Sequence, residues 1–348
     1  MRLPDFQYVE PRSIEEACLF LKEHGQEARI MGGGTDLLPS MKQRIFQPKY
    51  LVYLGSIRNI DRMEFDEGKG LSIGSMVKLR SIETDSLILE KYPVIGKAAS
   101  AVGSAQIREM GTVGGNLSLD TRCYYYNQSE FWRKCRSTCI KMGGETCNAI
   151  GGGTKCFSVF SSDLAPVMML LGAKIKLCSA WGERILPLSD FYTGNGAKPL
   201  SMKPEEVLVS VEIPAIAKQA LCTYLKYQIR NSIDFPLASV AAMIVTDGMQ
   251  EICREAKVVI SAIGTKPEEV KSIPELLEGR RLEKSLIEEA SDLSFRMAKP
   301  IANVASSPSY RRRVIKVFVQ AALSELCERG FKNQCGKEAK GIEGDRYT

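Results

Sequence analysis

Two glycine-rich segments limit the folds open to this chain more than any other feature of its sequence. The first, Gly-Gly-Gly-Thr-Asp at residues 32–36, lies between an apolar stretch at residues 28–31 and a segment with helical spacing at residues 37–43. Glycines in such a turn let the backbone approach a ligand closely and point several N–H groups at a phosphate. Leu37 occupies the place of the third glycine in the Rossmann fingerprint, and no Gly-Lys-Ser/Thr of a Walker A loop follows.

The second segment, Gly-Thr-Val-Gly-Gly-Asn at residues 111–116, is a glycine-rich turn of the same kind. One such loop is as compatible with a plain tight turn as with a phosphate site. Two of them in one chain favour a dinucleotide whose pyrophosphate is held from both sides, because each loop supplies backbone donors.

The composition is typical of a globular protein, because 44% of the 348 residues are apolar and 25% are charged. This length corresponds to about two or three domains. The longest apolar run, residues 164–173, is about half of a bilayer span, so we expect no membrane-spanning segment. The start of the chain lacks the apolar region of a secretory signal, which predicts a cytoplasmic protein with reduced thiols. The 11 cysteines therefore need an explanation other than disulfides.

The charge pattern excludes some classes of function. The 47 basic and 41 acidic residues give a net charge of +6 that is spread along the chain. The densest basic cluster, residues 311–313, is too short to predict nucleic-acid binding. A histidine base or a histidine-rich metal site would have to be built on His24, the single histidine. This residue is expected near the end of a helix, where a cation is favourable.

Capping and hydrophobic spacing predict the order of helices and strands. A capping box at Ser13 and Glu16 starts a helix that Gly25 ends. Further helices are predicted at residues 37–43, 82–89, 92–102, 163–171, 285–297 and 314–328, and strands at residues 28–31, 51–54, 71–74, 173–177, 207–213, 222–228, 239–246 and 256–263. Strands followed by helices after residue 216 indicate an α+β domain. We expect the polar tail to be disordered.

Several short motifs together resemble one family of flavoproteins. They are Gly-Gly-Gly-Thr-Asp-Leu at 32–37, Gly-Thr-Val-Gly-Gly-Asn-Leu at 111–117, Ser-Asp-Leu-Ala-Pro at 162–166, Leu-Gly-Ala at 171–173, Lys226 with Arg230, Asp234-Phe-Pro at 234–236, and Tyr-Arg at 310–311. In this order they resemble the FAD-binding subunits of molybdenum hydroxylases, which include xanthine and carbon monoxide dehydrogenases. The resemblance extends over about residues 1–328. No single motif is specific, but the combination is.

The resemblance implies an α+β chain. Two subdomains would form the FAD-binding fold of the molybdenum hydroxylase flavoproteins, which is of the PCMH or vanillyl-alcohol-oxidase-like type, and a C-terminal α+β domain would follow. The corresponding boundaries are residues 1–55, residues 56–215 with an insertion loop at residues 121–157, residues 216–330, and the tail at residues 331–348.

The resemblance also implies a set of FAD-binding residues. They are Met31, Gly32, Gly33, Gly34, Thr35, Asp36, Thr112, Gly114, Gly115, Asn116, Asp163 and Lys226. Backbone of the two glycine segments would hold the pyrophosphate, and Asp163 would accept hydrogen bonds from ribityl or ribose hydroxyls. Three alternatives stay open, which are helix capping by Asp36, helix capping by Asp163, and structural packing by Lys226 together with its neighbours.

Five of the cysteines lie in the polar, glycine-rich residues 121–157. They are Cys123, Cys135, Cys139, Cys147 and Cys156. Their spacing is neither that of ferredoxins nor that of the common zinc motifs. A connection this long suggests a ligand that orders it, because four thiolates around one centre replace a missing core. From the residues alone a [4Fe–4S] cluster, a structural zinc ion and free thiols all stay open.

One subgroup of the family, the β subunits of 4-hydroxybenzoyl-CoA reductases, resembles this insertion. The resemblance implies a [4Fe–4S] cluster bound by Cys123, Cys139, Cys147 and Cys156, with Cys135 left over. It further implies a molybdopterin-containing α subunit, a [2Fe–2S] γ subunit and an (αβγ)2 assembly. Reduced ferredoxin would supply electrons through the cluster and FAD for reductive dehydroxylation to benzoyl-CoA. The alternatives are a hydroxylase flavin subunit that passes electrons to NAD or a quinone, and a zinc-stabilised scaffold.

Overall fold

A small parallel sheet opens the fold. The computed structural model describes residues 2–217, 219–247 and 252–342, with side chains described up to residue 330. The first elements are β1 (Gln7–Val9), α1 (Ile14–His24), β2 (Ala28–Met31), α2 (Leu37–Lys42) and β3 (Tyr50–Tyr53). The strands pair in parallel in the order β1–β3–β2, and α1 covers the sheet with Ala17, Cys18 and Leu21.

The start of α1 confirms one of the two hydrogen bonds of the predicted capping box, the one accepted by Ser13. The Oγ of Ser13 accepts the N–H of Glu16 at 3.1 Å, whereas the Glu16 carboxylate accepts from the N–H of Arg12 at 2.7 Å, one residue before the cap. Gly25 ends the helix with a φ of 51° and a ψ of −123°, a backbone conformation that glycine adopts without strain.

A five-stranded antiparallel sheet and a layer of helices form the middle of the chain. The elements are β4 (Met63–Asp66), β5 (Gly70–Gly74), α3 (Leu79–Thr84), α4 (Ser86–Lys91), α5 (Pro93–Ser100), α6 (Ala105–Met110), α7 (Val113–Leu117), α8 (Glu130–Lys134), α9 (Leu164–Leu170), β6 (Lys174–Ser179), β7 (Gly182–Pro187), α10 (Leu188–Phe191) and β8 (Val207–Ile213). The strand order is β4–β5–β8–β6–β7. Ile73, Ile175 and Val211 of this sheet pack on α5 and α9 in one buried core.

The structure corrects three boundaries in this region. The helix predicted at 82–89 is two helices, because Asp85 leaves the helical conformation and its carboxylate caps α4 at the N–H of Ile88. Pro93 starts α5 one residue after the predicted start. The second glycine segment is the first turn of α7 and not an open turn, because Thr112 caps that helix.

The last region packs a four-stranded antiparallel sheet against helices. It contains β9 (Leu221–Tyr227), β10 (Ala238–Thr246), β11 (Cys253–Ser261), β12 (Glu268–Glu269), α11 (Ser272–Leu277), α12 (Lys284–Met297) and α13 (Pro308–Ile342), with strand order β12–β11–β10–β9. Val240, Ile315 and Val319 belong to its core. The α+β class is therefore confirmed.

The helix expected to end near Gly330 continues to Ile342. Gly330 is not among the glycines with positive φ and therefore does not form the left-handed stop that the prediction assumed. Residues 343–348 lie outside the described residues. Among the helices that the structure describes, none is long and apolar enough to cross a bilayer.

Candidate functional site

The two glycine segments touch each other backbone to backbone. A Cβ added at Gly33 would overlap the carbonyl oxygen of Met110 and lie 3.0 Å from the Cα of Gly111. A Cβ added at Gly32 would lie 2.8 Å from the Oγ1 of Thr112. Only glycine fits at position 33, so the triple glycine serves the contact between loops as well as any ligand.

Backbone donors are available in the first segment and are mostly occupied in the second. Within the described part of the chain, the N–H groups of Gly33, Gly34, Thr35 and Asp36 have no acceptor. Four successive free N–H groups beside a helix start favour an anion such as a pyrophosphate.

The first N–H groups of α7 already have partners. Gly114 donates to the carbonyl of Ser75 at 2.8 Å, and Gly115 donates to the Oγ1 of Thr112 at 3.1 Å. These contacts differ from the expectation that both residues present N–H groups to a pyrophosphate. In this structure the second segment packs against the first. Among the described residues, the N–H of Thr112 is the one donor of the second segment without an acceptor.

Asn116 joins α7 to the start of α9. Its Oδ1 accepts from the Oγ of Ser162 at 2.6 Å and from the N–H of Leu164 at 3.3 Å. The Oγ of Ser162 in turn accepts from the N–H of Ala165 at 3.0 Å. Ser162 therefore caps α9, and the alternative that Asp163 caps this helix is wrong because its carboxylate makes no capping bond.

Asp163 is instead the acceptor of a buried polar cluster. Its carboxylate, 2% exposed, accepts from the hydroxyl of Tyr224 at 2.8 Å and from the Nζ of Lys226 at 3.1 Å. Burial raises the pKa of Asp163 to about 6, and Lys226 and Tyr224 oppose that rise. Lys226 also donates to the carbonyls of Ala101 at 2.6 Å and of Asp234 at 3.0 Å, so it joins β9 to the helical layer.

Removing the ammonium partner tests this cluster. We expect Lys226→Met to lower the unfolding free energy by about 3–5 kcal/mol, because a buried carboxylate loses its counterion. The folded pKa of Asp163, about 6, lies above its ordinary value of 3.8, so folding favours the protonated carboxyl. The contribution of Asp163 to the unfolding free energy is therefore largest below its ordinary pKa and is lost as pH rises through about 6. Without Lys226 the pKa rises further, so the deficit should be larger at about pH 8 than at about pH 5.

Urea unfolding of the apoprotein at both pH values measures the deficit. Lys91→Met, which removes an exposed lysine paired with Glu90, is the control and should leave the unfolding free energy nearly unchanged. A deficit that is the same at both pH values would argue against a charged Asp163 as its cause.

The first glycine segment meets the insertion loop through a residue that the sequence reasoning missed. Arg122 forms an ion pair with Asp36, and its guanidinium lies 4.5 Å from the ring of Phe235. Burial lowers the pKa of Arg122 to about 10. The alternative that Asp36 caps α2 is wrong, because its side chain makes no capping bond. No local pattern could have paired two charges so far apart in sequence.

The insertion loop brings four of its cysteines to one pocket. The two ends of the loop are joined by two backbone hydrogen bonds of 2.7 Å between Arg122 and Val159. The pocket is lined by Cys123, Tyr125, Tyr126, Cys139, Ile140, Lys141, Cys147, Asn148, Ala149, Cys156, Phe157 and Ser158. Cys135 is exposed and does not line it.

The four thiols lie within one another's electrostatic reach. Burial raises the pKa of Cys123 to about 11, and Cys156, Cys139 and Cys147 add to the rise. Across the described ranges, no three side chains of His, Cys, Asp or Glu are grouped as ligands of a metal ion. The thiols therefore surround a shared space without converging on one point.

Arg133 fastens the insertion loop to the first region. Its buried guanidinium donates to the carbonyls of Gln43 at 3.1 Å and Arg44 at 2.9 Å, and also to that of Gln128 within the loop. Arg44 has a φ of 58°, a left-handed conformation that is uncommon for a side chain of this type. The chain after α2 is thus shaped to present its carbonyls to the loop.

We expect Arg133→Met to loosen the loop without unfolding the protein. Each hydrogen bond to a charged group contributes about 1.5–3 kcal/mol, so amide hydrogen exchange across the loop should become at least about tenfold faster. Hydrogen exchange read by mass spectrometry measures this. Lys134→Met is the control, because Lys134 is 75% exposed and its ion-pair partner among the described residues is Glu130 of the same helix. Unchanged amide exchange across the loop in Arg133→Met would mean that the hydrogen bonds of Arg133 are not needed to hold the loop.

Comparison with protein families identifies the two parts of the chain. Residues 4–216 match the FAD binding domain in molybdopterin dehydrogenase, and residues 223–326 match the CO dehydrogenase flavoprotein C-terminal domain. The chain belongs to the FAD-binding subunits of the molybdenum hydroxylase family. The resemblance drawn from the glycine motifs is therefore confirmed, as is the fold that it implied.

Curated relatives of this FAD-binding subunit match three quarters or more of its length. The glyceraldehyde dehydrogenase medium chain of Sulfolobus acidocaldarius is 25% identical over 93% of this chain and 99% of its own. The carbon monoxide dehydrogenase medium chain of Afipia carboxidovorans is 25% identical over 91% and 95%. The aldehyde oxidoreductase FAD-binding subunit PaoB of Escherichia coli is 29% identical over 75% and 82%.

Solved structures share the fold of this subunit. The reconstituted CO dehydrogenase from Oligotropha carboxidovorans superposes with a TM-score of 0.78 at 24% identity, covering 94% of this chain and 100% of that chain. Quinoline 2-oxidoreductase from Pseudomonas putida 86 gives a TM-score of 0.77 at 24% identity, covering 95% and 99%. At this identity the likeness is one of fold.

Proposed function

We propose that this chain is the electron-transfer subunit of a molybdenum-dependent oxidoreductase and that it carries a [4Fe–4S] cluster beside FAD. Membership of the family supports the flavin part. The observation that carries the cluster part is the pocket lined by all four cysteines expected as ligands, with the fifth cysteine of the loop outside it.

The residues of the glycine segments fit FAD. The free N–H groups from Gly33 to Asp36 supply donors for a pyrophosphate, and the N–H of Thr112 adds one from the other side. Met31, Gly32, Gly34, Thr35, Gly114, Gly115 and Asn116 complete the walls that we propose around it, with Asp163 and Lys226 nearby. Bound FAD supplies a centre that accepts and releases electrons singly or in pairs.

The hydrogen bonds that Asp163 already accepts leave room for a further polar ligand. Lys226 and Tyr224 already donate to this carboxylate, so a sugar hydroxyl would share it with them. A carboxylate has lone pairs for about four donors, and two are used here. Asp163 can therefore orient a ribityl or ribose group while it remains paired with Lys226.

We choose a cluster over a zinc ion for the cysteine pocket because the insertion resembles that of the 4-hydroxybenzoyl-CoA reductase β subunits, which implies a cluster. Four thiolates on one zinc ion would each lie about 2.3 Å from it. Ligands of a cubane bind separate irons and stand further apart. Aromatic walls at Tyr126 and Phe157 would shield such a centre, which supplies one-electron transfer.

Two directions of electron flow follow for the complex. The relatives are named dehydrogenases, an oxidoreductase and a hydroxylase, which favours a flavin subunit that passes substrate electrons to NAD or a quinone. The cysteine pocket favours the second candidate, a 4-hydroxybenzoyl-CoA reductase fed by reduced ferredoxin. Relatives named medium chains or medium subunits support an assembly with further subunits. For this assembly we propose a molybdopterin α subunit, a [2Fe–2S] γ subunit and the stoichiometry (αβγ)2, with the substrate on another chain.

One anaerobic preparation of the complex separates these proposals. A flavin spectrum with about four irons per FAD in this subunit supports both cofactors, whereas zinc without iron overturns the cluster. Reduction of NAD or a quinone with substrate supports the oxidative direction. Oxidation of reduced ferredoxin only when 4-hydroxybenzoyl-CoA is present supports the reductive one.

A further inference from the structure

A buried lysine lies in the wall of the cysteine pocket. Lys141 follows Cys139 in a short helical turn, Ile140–Met142, and its side chain is 4% exposed. Lysine is almost never buried to this degree unless it is paired. Its burial next to four thiols therefore needs a reason beyond packing.

The ammonium of Lys141 uses all three of its donors within the protein. Its Nζ donates to the Oδ1 of Asp120 at 2.7 Å, to the carbonyl of Thr121 at 3.2 Å and to the Oγ1 of Thr121 at 2.5 Å. The ring of Tyr126 lies 4.7 Å from the Nζ, a favourable distance for a cation over an aromatic face. A carboxylate and three further electron-rich partners fix the position of the Lys141 side chain.

Two buried hydroxyls continue from this lysine to a cysteine. The Oγ1 of Thr121 lies 2.9 Å from the Oγ of Ser158, and that oxygen lies 2.9 Å from the Sγ of Cys156. Thr121 is 0% exposed and Ser158 is 1% exposed, so water does not compete for these contacts. Gly196 closes this corner, because a Cβ there would lie 2.6 Å from the Ser158 hydroxyl and 3.0 Å from the sulfur.

The direction of the chain follows from what each group can donate. A thiolate has no proton, so the hydroxyl hydrogen of Ser158 points to the sulfur when Cys156 is ionised. The carbonyl of Gly196, 3.3 Å from Ser158, is the weaker acceptor because it is neutral and farther away. Thr121 accepts from the ammonium and donates onward to Ser158 or to the Gly196 carbonyl at 2.7 Å.

We propose that Lys141, Thr121 and Ser158 form a hydrogen-bond chain that donates to the sulfur of Cys156 and raises the reduction potential of the cluster. This rests on the proposed function, because it needs a cluster bound by Cys156. Hydrogen bonds to ligand sulfurs stabilise the more negative, reduced state, and a charged end strengthens a buried chain. The lysine and the hydroxyls are positioning residues, since none of them is a ligand.

Redox titration of the anaerobic complex, followed by electron paramagnetic resonance, tests the chain. Ser158→Ala should keep its iron and move the midpoint potential negative, with the equilibrium constant for one-electron reduction about tenfold lower, or 59 mV. The iron–sulfur stretching bands in resonance Raman spectra should shift in the same variant, which a merely structural role would not produce. Lys141→Met should move the midpoint in the same direction.

Matched controls come from the same loop. Ser137→Ala removes an exposed hydroxyl bonded to Asn148, and Lys134→Met removes an exposed cation paired with Glu130. Both should keep the parent midpoint. An iron-loaded Ser158→Ala with the parent midpoint and unshifted bands overturns the chain, even if Lys141→Met fails to load iron. A parent complex without iron overturns the cluster instead, and is recognised before any variant is compared.

Discussion

Replacing Gly33 by alanine is expected to remove most of the bound FAD. The added Cβ would meet the carbonyl oxygen of Met110 and the Cα of Gly111, both of which are backbone atoms that cannot rotate away. The two glycine segments would have to separate, at about 1–3 kcal/mol for overpacking of this kind. The free N–H groups beginning at position 33 would then lose their alignment, so FAD affinity should fall about tenfold or more.

Flavin absorbance per protein and titration of the apoprotein with FAD measure this effect. Gly264→Ala is the matched control, because its Cβ would meet only the carbonyl oxygen of Lys266 at 3.9 Å. Both variants should keep the parent circular dichroism spectrum. Full flavin content and parent affinity in Gly33→Ala would contradict the contact between the segments as a requirement for binding.

Replacing Cys147 by serine is expected to abolish the cluster. Cys147 lines the pocket with the three other proposed ligands, and a serine oxygen is a poor ligand for iron compared with a thiolate. Iron should fall from about four atoms per chain to nearly none, because a cubane needs all four thiolates. The loop should also lose order, since metal binding supplies the ordering energy that its missing core does not.

Cys135→Ser supplies the matched control for iron analysis and the visible spectrum. Cys135 lies in the same loop but is exposed and outside the pocket. It should keep the iron content and the spectrum of the parent. Iron loss in Cys135→Ser with retention in Cys147→Ser would reverse the assignment of ligands, and retention in both would remove the basis for a four-cysteine cluster.

Local sequence patterns predicted much of the fold. The cap at Ser13, the stop at Gly25 and the alternation that marks β8 act within a few residues of each other, so their signals survive without knowledge of the rest. The errors concern where helices begin and end. Gly330 lies in a long helix and not at its end, and the glycines after Thr112 form a helical turn and not an open loop.

The candidate site was also predicted only in part from the sequence. The sequence identified both glycine segments and singled out four of the five clustered cysteines, through motifs and a family resemblance. It did not predict that the N–H groups of Gly114 and Gly115 are occupied, nor that Asp36 pairs with Arg122. The partners of Gly114 and Asp36, which are Ser75 and Arg122, lie far away in the chain, and no spacing rule reports them.

By itself the sequence determined the family, the two flavin segments and the supply of thiols. Only the tertiary structure decided which donors remain free, which cysteines share a pocket and which lysine lies against them. The physical reason is that propensity, capping and motif identity act over short stretches of backbone. Burial, ion pairing and hydrogen-bond chains such as that from Lys141 to Cys156 instead arise when the packed core brings separate segments together.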